Sequence, residues 1–157
     1  MKRLRFFILI SAALVFVASA CAQKMTFPSL NNQDGVSKVF VNKTMLSMAG
    51  NSINLGGKVP GSMIKSLDSI EVLTAGESGG IEKIKKAMAD FLVANPDLDV
   101  MVQVNDNGQD VSIYSVPKQG SDNIAKLIVY AVESGEAKLV VLSGDIDPTQ
   151  ISGLLNM

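Results

Sequence analysis

The spacing of hydrophobic and polar residues changes along this chain, and the changes predict where strands and helices lie. Apolar side chains at every second position, or in short unbroken runs, are typical of strands. Apolar side chains that recur every three or four positions are typical of helices. We predict strands at residues 36–41, 70–73, 100–104, 111–116, 124–132 and 137–142, helices at 44–49, 81–94 and 148–155, and one helical turn at 62–67.

The segment 81–94 has the clearest helical pattern. Its apolar residues are spaced by three, four, three and one positions, which keeps them on one side of a helix. These residues are Ile81, Ile84, Met88, Phe91 and Leu92. Asn95 and Pro96 follow, and because the residue before a proline disfavours helical geometry, the helix is predicted to end there.

Turn signals connect the later segments. Asn107 and Gly108 are the residue pair preferred in a two-residue hairpin turn, and residues 134–136 supply the turn between the last two predicted strands. Near the C-terminus, Asp147 is a favourable helix cap and Pro148 is tolerated at the first helical position. A last helix at 148–155 would turn Ile151 and two leucines toward the core.

The order of predicted elements is strand, helix, strand, helix, a four-strand meander and a helix. Antiparallel strands joined by short turns can pack one face on helices and leave the other face solvated. The sequence therefore predicts an α+β fold of two layers, with helices packed on one face of a mainly antiparallel sheet of about six strands. We expect one domain at residues 36–157, preceded by a polar tether at residues 21–35.

The first 23 residues have the order of a bacterial export signal. Lys2, Arg3 and Arg5 precede an apolar run at residues 6–17, and small residues follow at 18–22. This run is too short for a membrane span, which needs roughly 20 residues. Residues 1–20 are therefore predicted to be an export signal that is not part of the fold.

Two processing routes fit the end of this signal. Cleavage just after Ala20 would follow an A-x-A exit, whereas Cys21 could instead be the lipidated first residue of a lipoprotein. Acyl chains on Cys21 would hold the domain at a membrane, since each buried methylene contributes roughly 0.8 kcal/mol. Either route predicts a protein exported to the periplasm, and lipidation would anchor it to a membrane there.

Composition after the signal excludes several classes of function. Residues 1–20 hold three of the 14 basic residues and none of the 15 acidic ones, so their removal moves the net charge from −1 to −4. An acidic chain without a basic cluster is a poor candidate for binding nucleic acid. There is no histidine, and Cys21 is the sole cysteine. Zinc sites, serine–histidine mechanisms and intramolecular disulfides therefore have no support, and we expect no cofactor.

One pair of motifs resembles an enzyme signature. Ser62 and Lys65 match S-x-x-K, and residues 121–123 match S-D-N, as in penicillin-binding proteins and class A β-lactamases. No K-T-G follows them, and the mature chain is far too short for that catalytic fold. We therefore interpret these residues as polar surface positions and expect no catalytic residue.

Other polar clusters are explained by turns. In the register of a calcium loop, residues 103–114 lack the acidic residue required at each end, so a hairpin turn explains them better. Asp145 and Asp147 could serve a cation, but a turn and a helix cap account for them. Gly56, Gly57 and Lys58 lack the spacing of a phosphate loop. We therefore expect no metal site.

Three stretches resemble the family catalogued as domain of unknown function 4252. They are the opening segment 36–46 (VSKVFVNKTML), the middle segment 69–73 (SIEVL) and the closing segment 139–146 (LVVLSGDI) with its short terminal helix. The resemblance covers nearly all of the mature chain. It implies a small exported or lipidated envelope protein of Bacteroidetes-type bacteria, and it brings no catalytic residues.

Our leading hypothesis is a non-catalytic cell-envelope protein that binds a protein partner or takes part in envelope signalling. An alternative is a periplasmic carrier or sensor of a small apolar ligand, in a pocket lined by Met45, Met48, Met63 and Met88. A third is a hydrolase that uses Ser62 and Lys65.

Overall fold

The computed structural model describes residues 26–49 and 61–151. The predicted export signal, Cys21, the glycine-rich stretch at residues 50–60 and the last residues of the predicted C-terminal helix lie outside these ranges. Among the described residues, no helix has the length and apolar character needed to cross a membrane.

The described elements follow the predicted order. Three α-helices and six strands are present: β1 Ser37–Asn42, α1 Lys43–Ala49, α2 Gly61–Ser66, β2 Leu67–Ala75, α3 Ser78–Ala94, β3 Asp99–Asp106, β4 Gln109–Pro117, β5 Ile124–Glu133 and β6 Glu136–Ile146. Short 3₁₀ turns cover Pro28–Leu30 and Pro148–Gln150. The start of the predicted last helix is thus a 3₁₀ turn, and β2 is longer than predicted because it begins directly after α2.

All six strands form one antiparallel sheet in the order β1-β2-β6-β5-β4-β3. The predicted meander is therefore confirmed for β3 to β6, and β2 pairs with β6, the last of the described strands. The turn between β3 and β4 is the predicted hairpin, because Asn107 and Gly108 both have positive φ, as a two-residue type I′ turn requires. The two edges of the sheet are β1 and β3.

The α+β class is confirmed, but the helices lie on both faces of the sheet rather than on one. Leu139 and Val141 of β6 pack in the cluster that contains Ile84 of α3, whereas Leu142 packs in a second cluster with Met63 of α2. Alternate residues of a strand point to opposite faces. Therefore α3 covers one face, and α1 and α2 cover part of the other.

The segment at residues 26–35 is part of the folded domain, which corrects the predicted tether at 21–35. Phe27 and Leu30 are 2% and 3% exposed, and the ring of Phe27 lies 5.0 Å from that of Phe91 on α3. The tether was predicted from the polar residues at 31–35, but these residues form turns that follow two buried side chains. Any tether ends before Thr26.

Candidate functional site

The enzyme-like motifs lie in separate elements. Ser62 and Lys65 are both exposed on α2. In the β4–β5 loop, the Ser121 hydroxyl accepts a 3.1 Å hydrogen bond from the backbone N–H of Asn123. The side-chain amide of Asn123 donates a 2.7 Å hydrogen bond to Asp145. The S-D-N residues therefore shape a loop and tie it to the end of β6.

Asp145 and Asp147 each have a structural role. The Lys118 ammonium lies 2.7 Å from Asp145, and this contact, followed by the Asn123 bond, lowers the pKa of the Asp145 carboxyl. Asp147 accepts hydrogen bonds from the hydroxyl and backbone N–H of Thr149, at 2.7 and 2.8 Å, and these bonds lower its pKa. Within residues 26–49 and 61–151, no three acidic residues are grouped as metal ligands.

Asp145 should make stability sensitive to acid. Its pKa is lower in the folded state than in the unfolded chain, so its contribution is present at neutral pH and is lost as the pH falls through the acidic range. We expect the gap in unfolding free energy between the wild type and Asp145→Asn to stay constant from about pH 7 to about pH 5 and to shrink from about pH 5 to about pH 2. Urea unfolding across this range measures the gap. Asp122→Asn removes an equal charge from the adjacent exposed loop and is the control; an equal trend in both variants would contradict the assignment.

The four methionines proposed for a ligand pocket do not meet. Met63 and Met88 are buried in different core clusters on opposite faces of the sheet. Met45 and Met48 are 55% and 78% exposed. The proposed lining for an apolar ligand is therefore wrong.

The surface depressions among the described residues include two that are open to solvent. One, of about 330 Å³, lies between the first 3₁₀ turn and α3 and is lined by Ser29, Lys83 and Asp90 among others. The other, of about 290 Å³, lies between the end of α3 and Pro117. In the first depression, Lys86 pairs with Asp90 at 2.8 Å, and Lys83 donates a 2.9 Å hydrogen bond to the backbone carbonyl of Asp34.

A buried ion pair holds the start of the described chain against the sheet. The Lys38 ammonium of β1 lies 2.7 Å from the Glu71 carboxylate of β2, and these side chains are 13% and 3% exposed. Glu71 also accepts a 2.9 Å hydrogen bond from the backbone N–H of Thr26. Lys126 donates to the Thr26 hydroxyl at 3.0 Å. Thr26 is therefore fixed on the face of the sheet that carries α3.

This pair was not predicted from the sequence. The available signal was Glu71, which stands among the apolar residues Ile70, Val72 and Leu73. A carboxylate in a central, buried strand needs a cation or backbone donors. Lys38, two residues into β1, is the cation that the strand pairing brings close.

The opposite face of the sheet carries an apolar row that crosses all six strands. Each member is the cross-strand neighbour of the next: Val39, Val72, Val140, Val129, Ile113 and Val102. Helices α1 and α2 cover the adjacent row, in which Ile70, Leu142 and Leu127 are buried. In the apolar row itself, Val39 is 55% exposed and the other five side chains are half-buried. The described helices therefore leave the apolar row partly uncovered.

The row ends at β3, whose outer edge pairs with no described strand. β3 has eight residues, of which Val100, Met101 and Val104 are 56%, 38% and 50% exposed. Edge strands are usually protected by lysine, proline, bulges or shortness. β1 has six residues and an inward-facing Lys38, whereas β3 contains neither lysine nor proline. The pairing of β3 is irregular between Val100 and Val102, but residues 102–106 pair with β4 in an unbroken register. The β3 edge is therefore the less protected of the two.

Comparisons with known proteins give a family and little else. A family model described as "Domain of unknown function (DUF4252)" matches residues 30–154. No curated protein matches the chain. Among solved structures, a protein of unknown function, PA94 from Pseudomonas aeruginosa, is 11% identical, with 78% of this chain and 76% of that chain covered and a TM-score of 0.35.

Proposed function

The chain belongs to the DUF4252 family, described as a domain of unknown function, and from this premise we propose that it is a non-catalytic protein of the bacterial cell envelope that binds a protein partner. The observation that carries the proposal is the apolar row. Soluble proteins rarely leave contiguous apolar strips exposed without a use, and such strips mark interaction sites. Half-buried valines and an isoleucine in one plane are better suited to binding the surface of another protein than to binding a small polar ligand.

The N-terminal sequence supports the envelope setting. Lys2, Arg3 and Arg5, the apolar run and Cys21 have the order of an exported lipoprotein. Four residues lie between Cys21 and Thr26, which is fixed by Glu71, and the five steps from Cys21 to Thr26 span at most about 17 Å. A lipid on Cys21 would therefore hold the domain close to the membrane.

A lipid anchor on Cys21 would join the domain on the face of the sheet opposite the apolar row. Thr26 lies on the α3 face of the sheet, whereas the apolar row lies on the face of α1 and α2. A membrane-anchored chain could therefore bind a partner on the row while its α3 face stays near the lipid.

We expect partner capture to depend on the apolar row. The full-length tagged protein would be crosslinked in its own bacterium, with wild type compared against a variant in which Val39, Val102 and Val129 are threonine. Threonine keeps the β-branched shape that strands favour but makes the row polar. The variant should lose about tenfold of the co-captured partner, corresponding to about 1.4 kcal/mol.

Val93→Thr is the matched control, because Val93 is 83% exposed on α3, away from the row. Circular dichroism of both variants checks that each is folded. A partner retained equally by the wild type and the row variant would refute the proposal, as would the absence of any reproducible partner. Intact mass of the same purified protein distinguishes a lipidated Cys21 from cleavage after Ala20.

A further inference from the structure

We propose that the outer edge of β3 binds an extended, basic segment of a partner protein, which adds a seventh strand to the sheet; this inference rests on the proposed function and names the partner's chemistry. Addition of a strand to an exposed sheet edge is a common mode of peptide recognition, in which backbone hydrogen bonds provide affinity and alternate side chains provide specificity. The outer edge of β3 pairs with no described strand, and the apolar row supplies the side-chain contact.

The backbone of β3 is prepared for such pairing. Asp106 and Gln109 flank the two-residue turn and face each other in the ladder, so they form the hydrogen-bonded pair that closes this kind of hairpin. Hydrogen-bonded and non-bonded pairs alternate along an antiparallel ladder. The N–H and C=O groups of Gln103 and Asn105 therefore point away from β4, toward the open edge.

The side chains of β3 favour an apolar partner strand. Val102 and Val104 lie on the face of the apolar row, because they pair with Ile113 and Val111 of β4. A seventh strand would place its alternate side chains beside these two valines. It would thereby extend the apolar row by one residue and exclude water from its end.

The negative charge around β3 favours a partner segment with positive charge. The stretch 95–117 contains Asp97, Asp99, Asp106 and Asp110 and no lysine or arginine. Asp99 and Asp106 mark the two ends of the strand, and both are exposed. Opposite charges across a strand pair are stabilising and like charges are destabilising. A partner strand with lysine or arginine at its ends therefore fits the edge.

The same charges argue against a second copy of the chain. If two copies of β3 paired antiparallel over their whole length, Asp99 of each copy would face Asp106 of the other. Two such like-charge contacts, at both ends of the strand pair, oppose self-association. The acidic ends thus act as protection against edge-to-edge dimers while leaving the strand open to a basic segment.

The test uses two labelled peptides of alternating valine and threonine, one flanked by lysines and the other by glutamates. Fluorescence anisotropy with the mature protein should show the basic peptide binding at least about tenfold more tightly than the acidic one. Its affinity should fall with added salt, because exposed charges are screened. Asp99→Asn with Asp106→Asn should abolish most of this preference, whereas Asp90→Asn with Asp122→Asn, which removes equal charge elsewhere, should retain it.

A backbone variant tests the strand pairing itself. Gln103→Pro removes an outward N–H without breaking the β3–β4 ladder, and proline is tolerated on such positions of edge strands. We expect it to weaken the basic peptide at least about tenfold. Without any variant, amide hydrogen exchange should slow at Gln103 and Asn105 when the peptide is added, and should be unchanged at the already paired Val102 and Val104.

Four results would overturn the assignment: equal binding of the two peptides, no binding of either, no protection at Gln103 and Asn105, or a β3-mediated dimer of the chain alone by sedimentation. If these occur while the threonine variant still loses its captured partner, the proposed function stands and the edge assignment fails. If the basic peptide binds at β3 but the threonine variant captures its partner as well as the wild type does, the proposed function fails and the edge assignment stands.

Discussion

Replacing Glu71 with leucine is expected to lower the free energy of unfolding by about 3–5 kcal/mol, because a buried cation is left without its carboxylate. The Glu71 side chain is 3% exposed and lies 2.7 Å from the Lys38 ammonium. The backbone N–H of Thr26 loses its acceptor at the same time, which adds the cost of an unsatisfied donor. Guanidinium unfolding followed by circular dichroism measures the loss.

The double variant Lys38→Met with Glu71→Leu should recover the part of that stability that the unpaired Lys38 cation costs, whereas Thr26 still lacks its Glu71 acceptor. Apolar residues of similar volume can replace a buried ion pair at little cost, whereas removal of one partner alone is expensive. Glu82→Leu is the surface control, since Glu82 pairs with Lys85 in solvent at 3.0 Å, and such pairs contribute about 0–1 kcal/mol. A Glu71→Leu variant no less stable than Glu82→Leu would show that the buried pair does not hold the N-terminal segment.

Gly80→Ala is expected to lower the free energy of unfolding by about 1–3 kcal/mol, as added atoms do in a closely packed interior. A Cβ at Gly80 would overlap the carbonyl group of Gly35 and also meet the Cβ of Ala75. The overlapping atoms of Gly35 belong to the backbone, so they cannot rotate away as the end of a flexible side chain could. Chemical denaturation compares the variant with wild type.

Gly79→Ala is the matched control, one residue earlier in the same helix. A Cβ there meets nothing within 4 Å, so alanine should stabilise α3 by up to about 1 kcal/mol. The two substitutions should therefore have opposite signs. If the two substitutions had equal effects, a side chain at position 80 would not disturb the contact between α3 and the N-terminal segment.

The order of elements could be predicted from the sequence because each depends on local chemistry. The stripe from Ile81 to Leu92 predicted α3, and Asn107 with Gly108 predicted the hairpin, since helix periodicity and positive φ are properties of a few neighbouring residues. The resemblance to the DUF4252 family is confirmed by the match at residues 30–154. The start of the domain was misplaced, because the buried Phe27 and Leu30 stand among polar turn residues.

The placement of the helices on two faces depends on strand partners, which are distant in the chain. The unbroken apolar run at residues 139–142 was the available signal, because strands covered on both faces lack alternation. The apolar row could not be predicted either. Its members come from six strands and become neighbours only through the register, and a one-residue slip would reverse the face of each side chain.

Because β2 pairs with β6, its pairing cannot be completed until most of the chain has been synthesised. Ile70 faces Leu142, about 70 residues later, so closing this contact costs far more chain entropy than forming the hairpins between β3 and β6. At about 5–20 residues per second, β2 is synthesised on the order of ten seconds before its central neighbour exists. Through that interval Ile70, Val72 and Leu73 lack their neighbours on β6, and the complete described sheet forms only after β6 has been synthesised.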